Sequence, residues 1–287
     1  MLYSMVKPKV VLHLGVHKTA TTYVQSRLWN SLEELERNRV NYIGLNSLRK
    51  RLTSRLGDAS FGKKDVFDAL YPFLNCDRLI LSDENILGGT NAPRYQAFYP
   101  WAKERFKKVL RGLEGCEVEV YVTLRSFPEY LISRYTESLR HFKFFTFEDY
   151  MSGIDAKNIS WLPLLDDLLA AGCGKIFVND FNYVVSGDEY IYRLIGKEVE
   201  LNEASQGSRV RRSKVSNEAY EILKLYGSIY SDQSTRRLIS MMDDHPQHTE
   251  ATPFMPFTEN QLFELNTKYK KELSVVKDDP RFNFIPG

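Results

Sequence analysis

Six consecutive residues, His17, Lys18, Thr19, Ala20, Thr21 and Thr22, put a cation and three hydroxyls into one short stretch of chain. Ahead of them, Val10 to Leu14 is an apolar run closed by Gly15. Behind them, Val24, Leu28, Leu32 and Leu35 recur at helical spacing. A strand, a tight loop and a helix in that order can hold an anion. The first N–H groups of a helix have no acceptor within it, and its dipole is positive at that end. Amides, hydroxyls and the Lys18 ammonium can then converge on one phosphate or sulfate group. The plainer alternative is a helix capped by Thr19 or Thr21. Gly15, Lys18 and three threonines within eight residues favour the anion.

The loop is neither of the common phosphate fingerprints. Lys18 follows Gly15 by only three residues and has His17, not Gly, directly before it, so the pattern of the nucleoside triphosphatases is absent. The second and third glycines of a dinucleotide loop are missing too.

Further groups stand at the ends of other predicted strands, where ligands gather in open α/β sheets. Arg78–Ser82 reads as a buried strand and is followed by Asp83, Glu84 and Asn85. Glu84 sits where a reacting group would sit, and on the residues alone capping of the next turn by Asp83 and Glu84 is the stronger reading. Glu117–Leu124 reads as a strand leading into Arg125. Pro128 suits the first turn of a helix running to His141, with Ser133 and Arg134 on it. A guanidinium offers a planar fork to phosphate oxygens, and a helical hydroxyl adds a donor. His141 is a second candidate base. Residues 205–217 carry Arg209, Arg211, Arg212 and Lys214 among serines, either as a solvated basic loop or as a cover for an anion.

These motifs resemble the sulfotransferases that use 3′-phosphoadenosine 5′-phosphosulfate (PAPS), in particular the bacterial carbohydrate-modifying branch. In that family a strand is followed by Pro/His-Lys-Thr-Gly/Ala-Thr-Thr/Ser and a helix. His17–Thr22 matches this order, with Ala20 where Gly is commoner. A second motif is an Arg at a strand end, then a Pro, and a Ser eight residues after the Arg. Arg125, Pro128 and Ser133 reproduce it. The resemblance covers most of the chain, specifically at 13–25 and 125–133 and more loosely at 82–89 and 205–217.

The resemblance implies that His17, Lys18, Thr19, Ala20, Thr21 and Thr22 hold the 5′-phosphosulfate and that Arg125 and Ser133 hold the 3′-phosphate. Arg209 and Arg212 would meet the nucleotide from the late basic segment. Lys18 would neutralise the leaving oxygen, and Glu84, within Ser-x-Glu-Asn, would take the acceptor's proton. The implied reaction moves a sulfuryl group from PAPS to an acceptor hydroxyl or amine, with a carbohydrate favoured and no metal expected. Two other readings stay open: a P-loop kinase using Mg-ATP, and a non-catalytic nucleotide-binding protein on the same fold.

The whole chain sets bounds on these readings. Its 287 residues and ordinary hydrophobic fraction fit a globular α/β protein. A net charge of +2 gives no global character of a nucleic-acid binder, so an anion site must be local. Cys76, Cys116 and Cys173 are widely spaced, show no metal-ligand spacing and fit reduced thiols of a cytoplasmic protein. No apolar run approaches the ~20 residues of a membrane span, and the first residues lack a leader pattern. Pro246 between His245 and His248 argues against their pairing on a metal. Residues 46–62, with Arg49, Lys50, Arg51 and Arg55, read as an exposed basic loop. Tyr95, Phe98, Tyr99 and Trp101 suit either a core or a sugar. The expected fold is a single P-loop-like α/β domain over 1–287. Its central parallel sheet has four to five strands flanked by helices on both faces, and 278–287 form a tail.

Overall fold

A computed structural model of the chain describes residues 7–89, 98–204, 215–243 and 251–286. Six strands form one sheet: β1 (Lys9–His13), β2 (Val40–Tyr42), β3 (Arg78–Ser82), β4 (Glu117–Leu124), β5 (Ile176–Asp180) and β6 (Phe282–Ile285). Their order is β2-β3-β1-β4-β5-β6, and every pairing is parallel. Helices cover both faces, which is why the inner strands read as unbroken apolar runs. Along β1, Val10 and Leu12 enter one core and Val11 the other, as strand alternation requires.

The helices among the described residues follow the strands. After β1 come α1 (Thr21–Asn30) and α2 (Leu32–Arg37). After β2 come α3 (Leu45–Arg51) and α4 (Lys63–Leu70), and after β3 comes α5 (Ala102–Gly112). After β4 come α6 (Phe127–His141), α7 (Phe147–Met151) and α8 (Leu162–Ala170). Between β5 and β6 lie α9 (Phe181–Val185), α10 (Glu189–Ile195), α11 (Asn217–Ile229), α12 (Asp232–Asp243) and α13 (Glu259–Asp278). Val24, Leu28 and Leu35 of α1 and α2 join Ile191 and Leu194 of α10 on one face. Phe106 of α5, Leu131 of α6 and Leu165 of α8 bury against the other.

The α/β fold with a parallel sheet is as expected, but the strand count is six. The expected tail contains β6: Phe282 and Ile285 are buried, and the strand pairs with β5 from Ile176 to Asn179. Four residues after a turn carry too short a pattern to separate a strand from an end segment. Residues 46–62 are also not a plain loop. They contain most of α3 and a 3-10 turn at Thr53–Arg55, with Leu48, Leu52 and Leu56 buried. Those leucines recur every four residues, a helical signal that the surrounding basic residues mask.

Phe98 stacks on Trp161 with ring centroids 4.8 Å apart and Tyr99 is buried, whereas Trp101 stays half exposed. Tyr95, Arg209, Arg212, His245 and His248 lie outside the described residues. None of the cysteines forms a disulfide. Among the described residues, no helix is long and apolar enough to cross a membrane.

Candidate functional site

β1 lies between β3 and β4, and His13 is level with Ser82 on one side and Tyr121 on the other. The chain leaving β1 therefore runs beside Asp83–Asn85 and beside the longer β4. Leu14 and Val16 donate their N–H groups to the carbonyls of Tyr121 and Thr123, which carries the loop towards Arg125. Gly15 is required here, because a Cβ at this position would lie 2.7 Å from Thr19 Oγ1.

The loop then takes an unusual backbone path. Lys18 and Ala20 both adopt left-handed conformations, with φ of 70° and 61°. L-residues pay about 1–2 kcal/mol each for this region. Ala20 is the cap of α1 and makes no side-chain cap hydrogen bond. The Thr19 hydroxyl turns inward and donates to Val16 O at 2.6 Å. Thr21 is already the first helical residue, so neither threonine caps the helix. Left-handed residues on either side of Thr19 are of the kind found in backbone nests, where successive amides can face one anion. The Thr19 hydroxyl is committed to the Val16 carbonyl, whereas Thr22 is exposed at the helix start.

Lys18 and Arg125 are joined directly. Arg125 Nη1 donates to Lys18 O at 2.7 Å, so the second motif holds the backbone of the first. The guanidinium also bonds Glu129 at 3.2 Å and lies over the Phe181 ring at 4.5 Å. Beside it is a cavity of about 300 Å3 lined by Ser126, Glu129, Asp180, Phe181 and Tyr269, among others. The Lys18 ammonium reaches α6, where it donates to Glu137 Oε2 at 3.3 Å. Glu129, Ser133 and Glu137 recur at every fourth position of α6 and so share one face. Since Arg125 meets Glu129 and Lys18 meets Glu137, Ser133 stands between the two cations on the face turned to the loop.

His17 is built into the wall. Its Nε2 lies 3.2 Å from Asn85 Oδ1, and its Nδ1 lies 2.8 Å from the Tyr99 hydroxyl. Asn85 Oδ1 can only accept, so Nε2 donates and Nδ1 accepts from Tyr99. The same hydroxyl accepts the His17 N–H at 2.8 Å. Burial, helped by the Arg134 charge, pushes the His17 pKa down to about 3. His17 thus supports the loop as a neutral imidazole, and its own N–H is already committed.

The same network reaches Glu84. Asn85 donates to Asp83, which is fully buried, and Arg49 of α3 bonds both Asp83 at 3.0 Å and Glu84 at 3.3 Å. Only 14% of the Glu84 side chain is exposed. Burial first, and then the neighbouring Asp83 charge, raise its pKa above the ordinary carboxylate value. Arg49 and the Thr21 hydroxyl act in the opposite direction. Glu84 Oε2 nevertheless has no hydrogen-bond partner. A buried carboxylate oxygen of raised basicity, unpartnered beside the first residue of α1, is equipped to accept a proton.

His141 lies elsewhere in the site. It is exposed at the end of α6, with Nε2 3.2 Å from Glu137 Oε1, so it belongs to the Lys18 side rather than to the Glu84 side. Arg49, Asn85, Tyr99, Arg134 and Glu137 also take part. Asn85 closes the Ser-x-Glu-Asn pattern, and Arg49, Tyr99 and Arg134 stood out in the sequence only as a basic loop residue, an aromatic and a helical cation, while Glu137 gave no signal. Among the described residues, no group of three or more His, Cys, Asp or Glu side chains forms a candidate metal centre. Comparison of the chain with protein-family models and with curated proteins gave no match.

Proposed function

We propose that the protein is a sulfotransferase that moves the sulfuryl group of PAPS to a hydroxyl or amine of an acceptor, with a glycan as the favoured acceptor class. The observation that carries this reading is the meeting of three strand ends. Lys18 after β1 is held by Arg125 after β4, and Glu84 after β3 keeps an unpartnered oxygen beside Thr21. The uncapped start of α1 and the left-handed loop support an anion between them.

Within this reading, an acceptor oxygen attacks sulfur while the bond from sulfur to the bridging oxygen breaks. The acceptor proton passes to Glu84, and adenosine 3′,5′-bisphosphate leaves with the bridging electron pair. Negative charge grows on that oxygen, where Lys18 would stabilise it. The amides at the start of α1 would hold the phosphosulfate oxygens, and Arg125 with Ser133 the 3′-phosphate. Apart from the proton transfer, these residues align the partners and meet charge already in place. The three thiols suit a reducing compartment such as the cytoplasm.

The test is calorimetric titration with adenosine 3′,5′-bisphosphate in metal-free buffer, compared with ATP and Mg2+. The bisphosphate is expected to bind at least about tenfold more tightly, a difference of ~1.4 kcal/mol. A preference for Mg-ATP would overturn the proposal in favour of a kinase. Binding of neither would remove the donor assignment.

A further inference from the structure

The Lys18 ammonium, which the proposed reaction needs at the leaving oxygen, is engaged by Glu137. Glu137 sits on α6 with its side chain 18% exposed and accepts from Lys18 on Oε2. Its further neighbours among the described residues include Arg140 and His141. Arg140 Nη1 lies 3.8 Å from the same oxygen, and His141 Nε2 lies 3.2 Å from the other. The backbone of Lys18 is held separately, by the Arg125 bond to its carbonyl. The ammonium can therefore change partner without the loop moving.

We propose that Glu137 is the resting partner of Lys18 and sets which anions the loop accepts, a role that rests on the donor-site reading above. Anion capture is then an exchange, in which the ligand takes the ammonium from a fixed carboxylate. A singly charged anion offers Lys18 little more than Glu137 already does. A phosphosulfate, with more charge and with the amides of α1 as additional partners, wins the exchange. After the exchange Glu137 is not left as an uncompensated half-buried charge, because Arg140 and His141 remain beside it. That arrangement lowers the desolvation penalty that would otherwise oppose capture. It also gives His141 a place in the site as a companion of Glu137, distinct from that of acceptor base.

Two readouts test the exchange, with Glu137→Gln as the near-isosteric variant and Glu137→Asp as a variant that keeps the charge but withdraws it. The first is trace acetylation of Lys18 in ligand-free protein, followed by peptide mass spectrometry. Without the Glu137 carboxylate, Lys18 should react about three- to fivefold faster in Glu137→Gln, and by an intermediate factor in Glu137→Asp, as expected for loss of a partly exposed ion pair. The second is titration with adenosine 3′,5′-bisphosphate. Glu137→Gln should bind it about three- to fivefold more tightly, and this gain should vanish when Lys18 is replaced by Met. A purely structural role for Glu137 would weaken binding in both backgrounds, and that result overturns the proposal. An unchanged acetylation rate overturns it as well, whatever the nucleotide does. The acetylation arm needs no nucleotide. A rise in labelling in a chain that binds no bisphosphate would support the exchange and sink the donor assignment separately.

Discussion

Around the loop after β1, positive charge is held by the backbone: two left-handed residues, an uncapped helix start, and an arginine fastened to the carbonyl of the lysine it assists. At the end of β3, negative charge is held by burial. Glu84 is pressed into a site that disfavours its ionised form, and one arginine from a distant helix offsets this in part. The first arrangement suits a ligand that arrives charged and needs only to be received. The second suits a group that must change its charge during each turnover. Preorganised dipoles cost nothing at the moment of reaction, whereas a base must be unstable enough to take a proton.

The two halves can be separated by substitution. The largest effect is expected from Glu84→Gln, which should lower turnover by about 10²–10⁴-fold and leave bisphosphate affinity unchanged. The same variant should melt at a higher temperature at neutral pH. The folded pKa of Glu84 lies above its unfolded value, so the folded state holds the proton more tightly. Stability is then lost as pH rises through the interval between the two values, and Gln removes that loss. A variant that lost both activity and stability would mark Glu84 as structural.

Lys18→Ala should cost about 3–4 kcal/mol of barrier and, unlike Glu84→Gln, should also weaken bisphosphate binding. Equal nucleotide affinity in the two variants would erase the division between the halves. Arg49→Gln should move the acidic limb of the pH–rate profile to higher pH, because Arg49 favours the charged form of Glu84 against burial and Asp83. A profile that stays in place would remove Arg49 from the acceptor side. The smallest effect is expected from Ala20→Gly. Relief of the left-handed cap should stabilise the protein by about 1 kcal/mol, read as a rise of ~2 °C in melting temperature, with the donor site intact.

The loop after β1 was more legible in the sequence than the end of β3, for a physical reason. His17–Thr22 and Arg125–Ser133 are contiguous segments whose chemistry is tied to one strand end, so spacing alone announces them. Glu84 could be placed after its strand, but its partner could not. Arg49 read as part of an exposed basic loop, and only the burial of Leu48, Leu52 and Leu56 swings it inward. Tyr99, Arg134 and Glu137 act through contacts between elements far apart in the chain, and a one-dimensional pattern carries no record of such contacts. His17 was read as part of the anion loop, and in the structure its ring is bonded to Tyr99 and Asn85. Both bonds are long-range, so the sequence pattern could not show them. Of the strands, β6 escaped because an edge strand of four residues has too few positions to show an alternation.

The placement of β1 at the middle of the sheet has a consequence for the time course of folding. Its bond from His13 to Ser82 spans 69 residues, and the bond from Arg125 to Lys18 spans 107. Loops of that length must close before the donor loop acquires its shape, and such closures are slow compared with the winding of α1. During refolding, helical signal should therefore return well before the loop after β1 is complete, and under the proposed function bisphosphate binding would serve as a clock for the last assembly step of the sheet.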